Sequence, residues 1–188
     1  KGNSYGFVGP NGCGKSVFFK TLCGYSLLTE GQVIYRGKII GKEQDFIDDA
    51  GIVIEEPEFI NSLSGLENLK ILAEIQKKIS EAEIIEILKQ FDLYEDRNKK
   101  VGKYSVGMKQ KLRLAQAVME KPQVLILDEP MNGLDKKSVK KVEDILKAFV
   151  ENGGTLLMTS HIEQQVEACC KIVYEIDGGE ILRGTGLQ

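Results

Sequence analysis

Short apolar runs punctuate this chain at residues 5–8, 32–36, 51–55, 124–128, 155–159 and 171–177. Several are almost unbroken in apolar residues instead of alternating with polar ones, the pattern of strands covered on both faces of a sheet. Helical spacing separates the later runs. Leu134, Val139, Val142, Ile145, Leu146 and Phe149 share one face of a segment, 134–150, that stops at Gly153 and Gly154. Such alternation predicts an α/β fold with a mostly parallel sheet. Over residues 66–91 the strand signal fades. Leu66, Leu69, Leu72, Ala73 and Ile75 form one apolar stripe, and Ser80 with Glu83 makes a capping box that opens a second helix with Ile84, Ile87, Leu88 and Phe91 inward. A third helix is predicted over 107–120. The pattern therefore describes an α/β core interrupted by a small helical subdomain, with no internal repeat and no low-complexity linker.

Between the first predicted strand and helix, residues 9–16 read G-P-N-G-C-G-K-S, a complete G-x-x-x-x-G-K-[ST] phosphate loop. Gly9, Gly12 and Gly14 permit backbone angles that turn successive N–H groups inward as a nest, with Pro10, Asn11 and Cys13 completing the curve. The helix that follows adds its unpaired N–H groups and positive dipole end. Lys15 supplies a mobile charge for the β- and γ-phosphates, and the Ser16 hydroxyl is suited to Mg²⁺. Strand before and helix after is the context such a loop requires.

Two further elements extend this chemistry. The apolar run 124–128 ends in Asp128 and Glu129. As the chain leaves a strand, adjacent side chains face different ways, so Asp128 is suited to hold Mg²⁺ through water and Glu129 to polarise the attacking water. His161, the only histidine, follows the run 155–159 at the sheet edge where ligands bind in open α/β sheets, and is read as a γ-phosphate contact.

Composition narrows the alternatives. A length of 188 residues with 42% hydrophobic content supports one sizeable α/β domain, and a net charge of −3 argues against a broad nucleic-acid face. The locally basic stretch 97–113 reads as solvated surface. No apolar run approaches the ~20 residues of a membrane span. Cys13, Cys23, Cys169 and Cys170 lack the spacing of a zinc site and fit reduced cytosolic thiols, with Cys13 a small filler in the loop.

Tyr104-Ser105-Val106-Gly107-Met108, followed by Lys109-Gln110-Lys111-Leu112, resembles the L-S-G-G-Q signature of ATP-binding-cassette (ABC) ATPases. Ser105 precedes Asp128 by 23 residues, as that family requires. Asn132-Gly133-Leu134-Asp135 is similar to its D-loop, Thr159-Ser160-His161 to its switch histidine, and residues 51–55 occupy the place of its Q-loop. With I-E-E-P-E-F and S-G-L-E-N-L, the wording is most similar to the bacitracin/lantibiotic-exporter-like bacterial branch.

The resemblance implies a P-loop NTPase of RecA-like architecture over the whole chain, 1–188, with core segments 1–62 and 116–188 and a helical subdomain 63–115 carrying the signature. It implies a Mg-ATP-hydrolysing subunit that dimerises head to tail around two ATP molecules. Ser105 and Gly107 would then reach the partner's nucleotide, Asp135 would join the ATP site, Ser16, Glu55 and Asp128 would serve the metal, and Glu129 with His161 would be catalytic. Implied partners are a second copy or a related ABC subunit and an integral membrane permease, with no nucleic acid. The implied place is cytoplasmic, peripheral on the inner face of the membrane. Residues 56–63, including Phe59 and Ile60, are the expected permease contact.

The sequence departs from the family at Glu55, where Gln is usual, at Val106, which replaces a signature glycine, and at Met108, which replaces the signature Gln. The family also carries antiparallel strands ahead of the phosphate loop, with an aromatic residue on adenine. Lys1 stands just ahead of the first strand, so the resemblance implies an N-terminally incomplete domain lacking those strands. Other readings are a non-transport ABC ATPase acting on DNA or ribosomes, a P-loop kinase, and an ATP-binding clamp or sensor with little turnover. The first would need a long coiled coil or a second cassette; the kinase has no use for residues 104–108; intact Glu129 and His161 count against the sensor.

Overall fold

The computed structural model describes residues 2–55 and 59–186. Its chain order is β1 (Ser4–Val8), α1 (Lys15–Cys23), β2 (Ile34–Tyr35), β3 (Lys38–Ile39), β4 (Ala50–Val53), α2 (Gly65–Gln76), α3 (Glu81–Gln90), a 3₁₀ turn (Val101–Lys103), α4 (Val106–Met119), β5 (Val124–Leu127), α5 (Lys136–Glu151), β6 (Thr155–Ser160), α6 (Glu163–Cys169), β7 (Ile172–Asp177) and β8 (Glu180–Gly186). The main sheet has strand order β4-β5-β6-β1-β7-β8, parallel except for β8.

The unbroken apolar runs explain why both faces of this sheet are covered. Along β5, Leu125 and Leu127 enter one core cluster while Ile126 enters the other. The cluster around Ile126 takes Phe19 and Cys23 from α1 with Phe7 from β1 and Ile176 from β7. The opposite cluster takes Val142, Leu146 and Val150 from α5 and Val166 from α6, and runs on into Leu69, Ile84, Leu88 and Leu112 of the helices α2 to α4 and Phe91 at the end of α3. All four cysteines are free and buried, and burial pushes the Cys23 and Cys169 thiols up to about 12, so neither forms thiolate near neutrality.

Parallel register gathers the chemistry. Val8 pairs with Ser160, Leu127 with Met158 and Val53 with Leu127. The C-terminal ends of β1, β4, β5 and β6 are therefore nearly level. The phosphate loop follows β1, the acid pair follows β5 and His161 follows β6, so a single sheet edge collects elements far apart in sequence.

Several local expectations differ from what forms. The run 32–36 yields only the two residues of β2, in a hairpin with β3 outside the main sheet. Arg36 (φ 50°) and Gly37 (φ 81°) form its two-residue turn, both left-handed as a tight hairpin demands. Strand β8 arises from a second such turn at Gly178 and Gly179, and it and α6 lie outside the predicted runs. Helix α2 opens on a second capping box, Ser64 with Glu67, beside the expected one at Ser80 and Glu83. Ile75, placed on the buried stripe, is 75% exposed, because at 3.6 residues per turn it lies well round α2 from the buried Leu69 and Ala73. The segment beginning at Leu134 turns helical only at Lys136, with Asp135 as its N-cap. Helix α4 runs unbroken across the expected subdomain boundary at residues 115 and 116.

The second half of α4 lies directly on β4. A β-carbon at Gly51 would stand 1.9 Å from the carbonyl oxygen of Ala117, a backbone atom that cannot swing aside. Gly51→Ala is expected to cost at least about 1–3 kcal/mol by overpacking. Urea unfolding measures this, and an unchanged midpoint would show that α4 shifts freely on the sheet.

Candidate nucleotide site

Gly12 (φ 82°) and Gly14 (φ 107°) both take the left-handed conformation, and Gly14 is the N-cap of α1 with no side chain capping the first turn. The first-turn N–H groups of α1 thus face the loop, the arrangement that binds phosphate. Lys15 is buried and lies back along the loop, its Nζ donating to the carbonyls of Gly9 (2.8 Å) and Pro10 (3.1 Å). Cys13 is buried in the cluster with Phe7 and Phe19, the filler role read from its size. Asn11, Gly12, Gly14, Lys15, Ser16, Asp128 and Glu129 line one cavity.

Asp128 is held from two sides. Ser16 Oγ donates to Oδ2 and Thr159 Oγ1 donates to Oδ1, each at 2.5 Å. Thr159 in turn accepts from the Glu129 N–H at 2.9 Å, so it joins both acids to the end of β6. Thr159 was not among the expected site residues. Its signal in the sequence was a polar residue closing an apolar strand two positions before His161, and it is fully buried. Glu129 takes a left-handed backbone (φ 48°) that turns its side chain out of the strand's alternation. Its Oε2 lies 2.9 Å from His161 Nδ1, while Oε1 is buried without a hydrogen-bond partner among the described residues. The donor set fits the group expected there: a hydroxyl and a carboxylate are hard oxygen ligands, and Mg²⁺ commonly takes one or two of these beside substrate phosphates. When bound, the ion would neutralise charge on the phosphate oxygens.

Glu55, expected at the metal, is engaged elsewhere. It forms an ion pair with Lys20 and has no bond to Ser16 or Asp128. Lys20 lies four residues after Ser16 on α1, so the pair sits one turn along from the hydroxyl, and the cation offsets the carboxylate that replaces the family's Gln. Glu55→Gln should uncover the Lys20 charge there and raise the Mg²⁺ concentration for half-maximal turnover by up to about fivefold. Lys20→Gln should lower it. Superimposable Mg²⁺ titrations of both variants and the parent would remove the pair from the site.

The three residues expected to act across a dimer sit apart from the loop. Ser105 is exposed and caps α4, accepting from the Met108 N–H at 3.2 Å. Gly107 is half-buried in the first turn of α4. Asp135 caps α5, accepting from the Ser138 N–H at 2.9 Å, and that bond holds its carboxyl below the usual range. No hydrogen bond joins any of the three to the phosphate loop among the described residues. Of the expected permease contact, residues 56–58 lie outside the described residues. Phe59 packs partly buried against the core, and Ile60 is half-exposed with its N–H donating to Asn68 Oδ1 at 2.8 Å.

Residues 1–132 match the model of the family described as ABC transporter. The chain is 37% identical over 181 residues to the ABC transporter ATP-binding protein YybJ of Bacillus subtilis, covering 96% of this chain and 83% of that one. It is 34% identical over 190 residues to the bacitracin transport ATP-binding protein BcrA of Enterococcus faecalis, covering 100% of this chain but 62% of that one. With the lantibiotic transport ATP-binding protein SrtF of Streptococcus pyogenes it shares 34% identity over 182 residues, 97% of this chain and 78% of that one. In fold it is similar to a dimeric ATP-binding cassette solved in a post-hydrolysis state with ADP and Pi, with a TM-score of 0.88 at 24% identity over 100% of this chain and 86% of that one.

Proposed function

Since this chain belongs to the ABC transporter family, we propose that it is the Mg-ATP-hydrolysing subunit of a transporter, working as a head-to-tail pair of cassettes that drives a separate membrane permease. One observation supports this most strongly: Ser16 from the phosphate loop and Thr159 from β6 converge on Asp128, with the Glu129–His161 pair immediately beside them. Lys15 would exchange its loop carbonyls for the β- and γ-phosphate oxygens. Ser16 and Asp128 would hold Mg²⁺, with Glu55 near it once released from Lys20. The His161 contact at Oε2 orients the Glu129 carboxylate, whose buried Oε1 would have to turn out toward the nucleotide to accept a proton from the attacking water. His161, 44% exposed at its side chain, would also reach the γ-phosphate.

The helical segment 63–115 would present Ser105 and Gly107 to the nucleotide of the other subunit, with Asp135 alongside. No helix among the described residues is long and apolar enough to cross a membrane, so transport would need a permease, met at the cytoplasmic face through the surface around Ile60. BcrA and SrtF carry the names of bacitracin and lantibiotic transport, which supports the exporter reading of this branch. The decisive test is the mass in solution of Glu129→Gln with and without Mg-ATP. ATP-driven conversion of monomer to dimer supports the reading, and a monomer that binds ATP overturns it.

A further inference from the structure

Gln110 is a polar side chain in the middle of α4 and only 5% exposed. A buried primary amide is costly unless both ends are satisfied, and here both are. Its Nε2 donates to the Pro130 carbonyl at 2.8 Å, and its Oε1 accepts from Arg113 Nη1 at 3.1 Å. Arg113, also buried, lies three residues on and so on the same helix face. Because a guanidinium only donates, it commits the amide oxygen to itself and turns the NH₂ toward Pro130. Pro130 directly follows Glu129, at the point where the backbone is left-handed. One turn earlier on α4, Val106 Cγ1 would meet a β-carbon on Gly133 at 2.8 Å, and a β-carbon on Gly107 would meet the Gly133 carbonyl at 3.0 Å. The first two turns of α4 therefore grip the loop 130–133 at both ends.

We propose that Gln110, aimed by Arg113, is a positioning residue that ties the Ser105 end of α4 to the loop carrying Glu129, so that each subunit adjusts its own Glu129 to the nucleotide held by its partner. This rests on the two-subunit reading above. Ser105 faces the other subunit's ATP whereas Glu129 serves its own, and α4 is the rigid rod between them. A shift of α4 on closure is passed to Pro130 through a directional bond; an apolar side chain at position 110 would fill the space without transmitting it.

The test compares the full chain with Gln110→Leu and Gln110→Glu. The glutamate keeps an acceptor for Arg113 but has no donor for Pro130, so it separates the relay from packing. Both variants should lose about tenfold to a hundredfold in kcat, the scale of a small misplacement of a catalytic group. Their Hill coefficients for ATP should fall toward one, with nucleotide affinity of the monomer unchanged. Arg113→Lys, which keeps a donor to Oε1, should retain more turnover than Arg113→Met. Cooperative turnover at the parent rate in Gln110→Glu overturns the relay while leaving the proposed function intact. A parent chain that neither dimerises nor turns over ATP overturns both. Should Gln110→Leu fail to fold, Gln110→Glu decides.

Discussion

Glu129→Gln is expected to lower ATP turnover by about 10²–10⁴-fold, the usual contribution of a positioned general base, and to bring the chain from monomer to dimer when Mg-ATP is added. The substitution keeps the shape of the side chain. It also keeps an atom near His161 Nδ1 at the position of Oε2 and leaves the backbone bond from residue 129 to Thr159 Oγ1 untouched. What it removes is the carboxylate's affinity for a proton. Lys15, Ser16 and Asp128 are unchanged, so ATP should bind as before. If ATP bridges two subunits, blocking hydrolysis prolongs the bridged state. Light scattering reads the mass and phosphate release reads the turnover. Full turnover in this variant would move the base away from Glu129; trapped ATP with no change in mass would remove the bridging role.

How much of this is legible in the sequence depends on whether the cause is local. The phosphate loop is written in eight consecutive residues whose backbone needs are their own, and the strand ends carrying Asp128, Glu129 and His161 are marked by apolar runs. Parallel pairing then brings these motifs to one sheet edge with no further information. Thr159 was harder, because its role comes from pairing of β5 with β6, which sets it against two acids 30 and 31 residues away. Lys20 gave no local sign at all. Its partner Glu55 lies 35 residues on, beyond a hairpin and the turn into β4. Gln110 sits inside a polar-looking stretch, M-K-Q-K, where periodicity alone cannot tell a buried amide from a solvated one. Ile75 failed in the opposite direction. Successive steps of three residues from Leu66 to Ile75 drift round the helix, and Ile75 ends off the face that buries Leu69 and Ala73. The hairpins at Arg36–Gly37 and Gly178–Gly179 needed two left-handed residues each, a turn signal easily missed beside weakly apolar strands.

In the Glu129→Gln background, Ser105→Asp is expected to abolish the ATP-driven dimer while the monomer binds ATP within about twofold of its parent. The Ser105 hydroxyl has two jobs. Ser105 Oγ already accepts from the Met108 N–H, which caps α4, and this uses a lone pair while leaving the O–H free to donate. The side chain is exposed, so that donor faces outward at the positive end of a 14-residue helix. Aspartate is at least as good an N-cap and suits the dipole, so α4 should hold its fold and its thermal midpoint. It cannot donate, however, and it sets a negative charge toward the triphosphate. At about 4 Å and an effective dielectric near 20, each added like-charge contact costs about 4 kcal/mol, far more than the few tenths gained at the cap. A head-to-tail dimer would meet that penalty at both of its sites. Ser105→Thr, which keeps both cap and donor, should dimerise nearly as the parent does. A dimer that persists in Ser105→Asp would mean that this helix end does not face the nucleotide of the other subunit, and that the two copies close through some other surface.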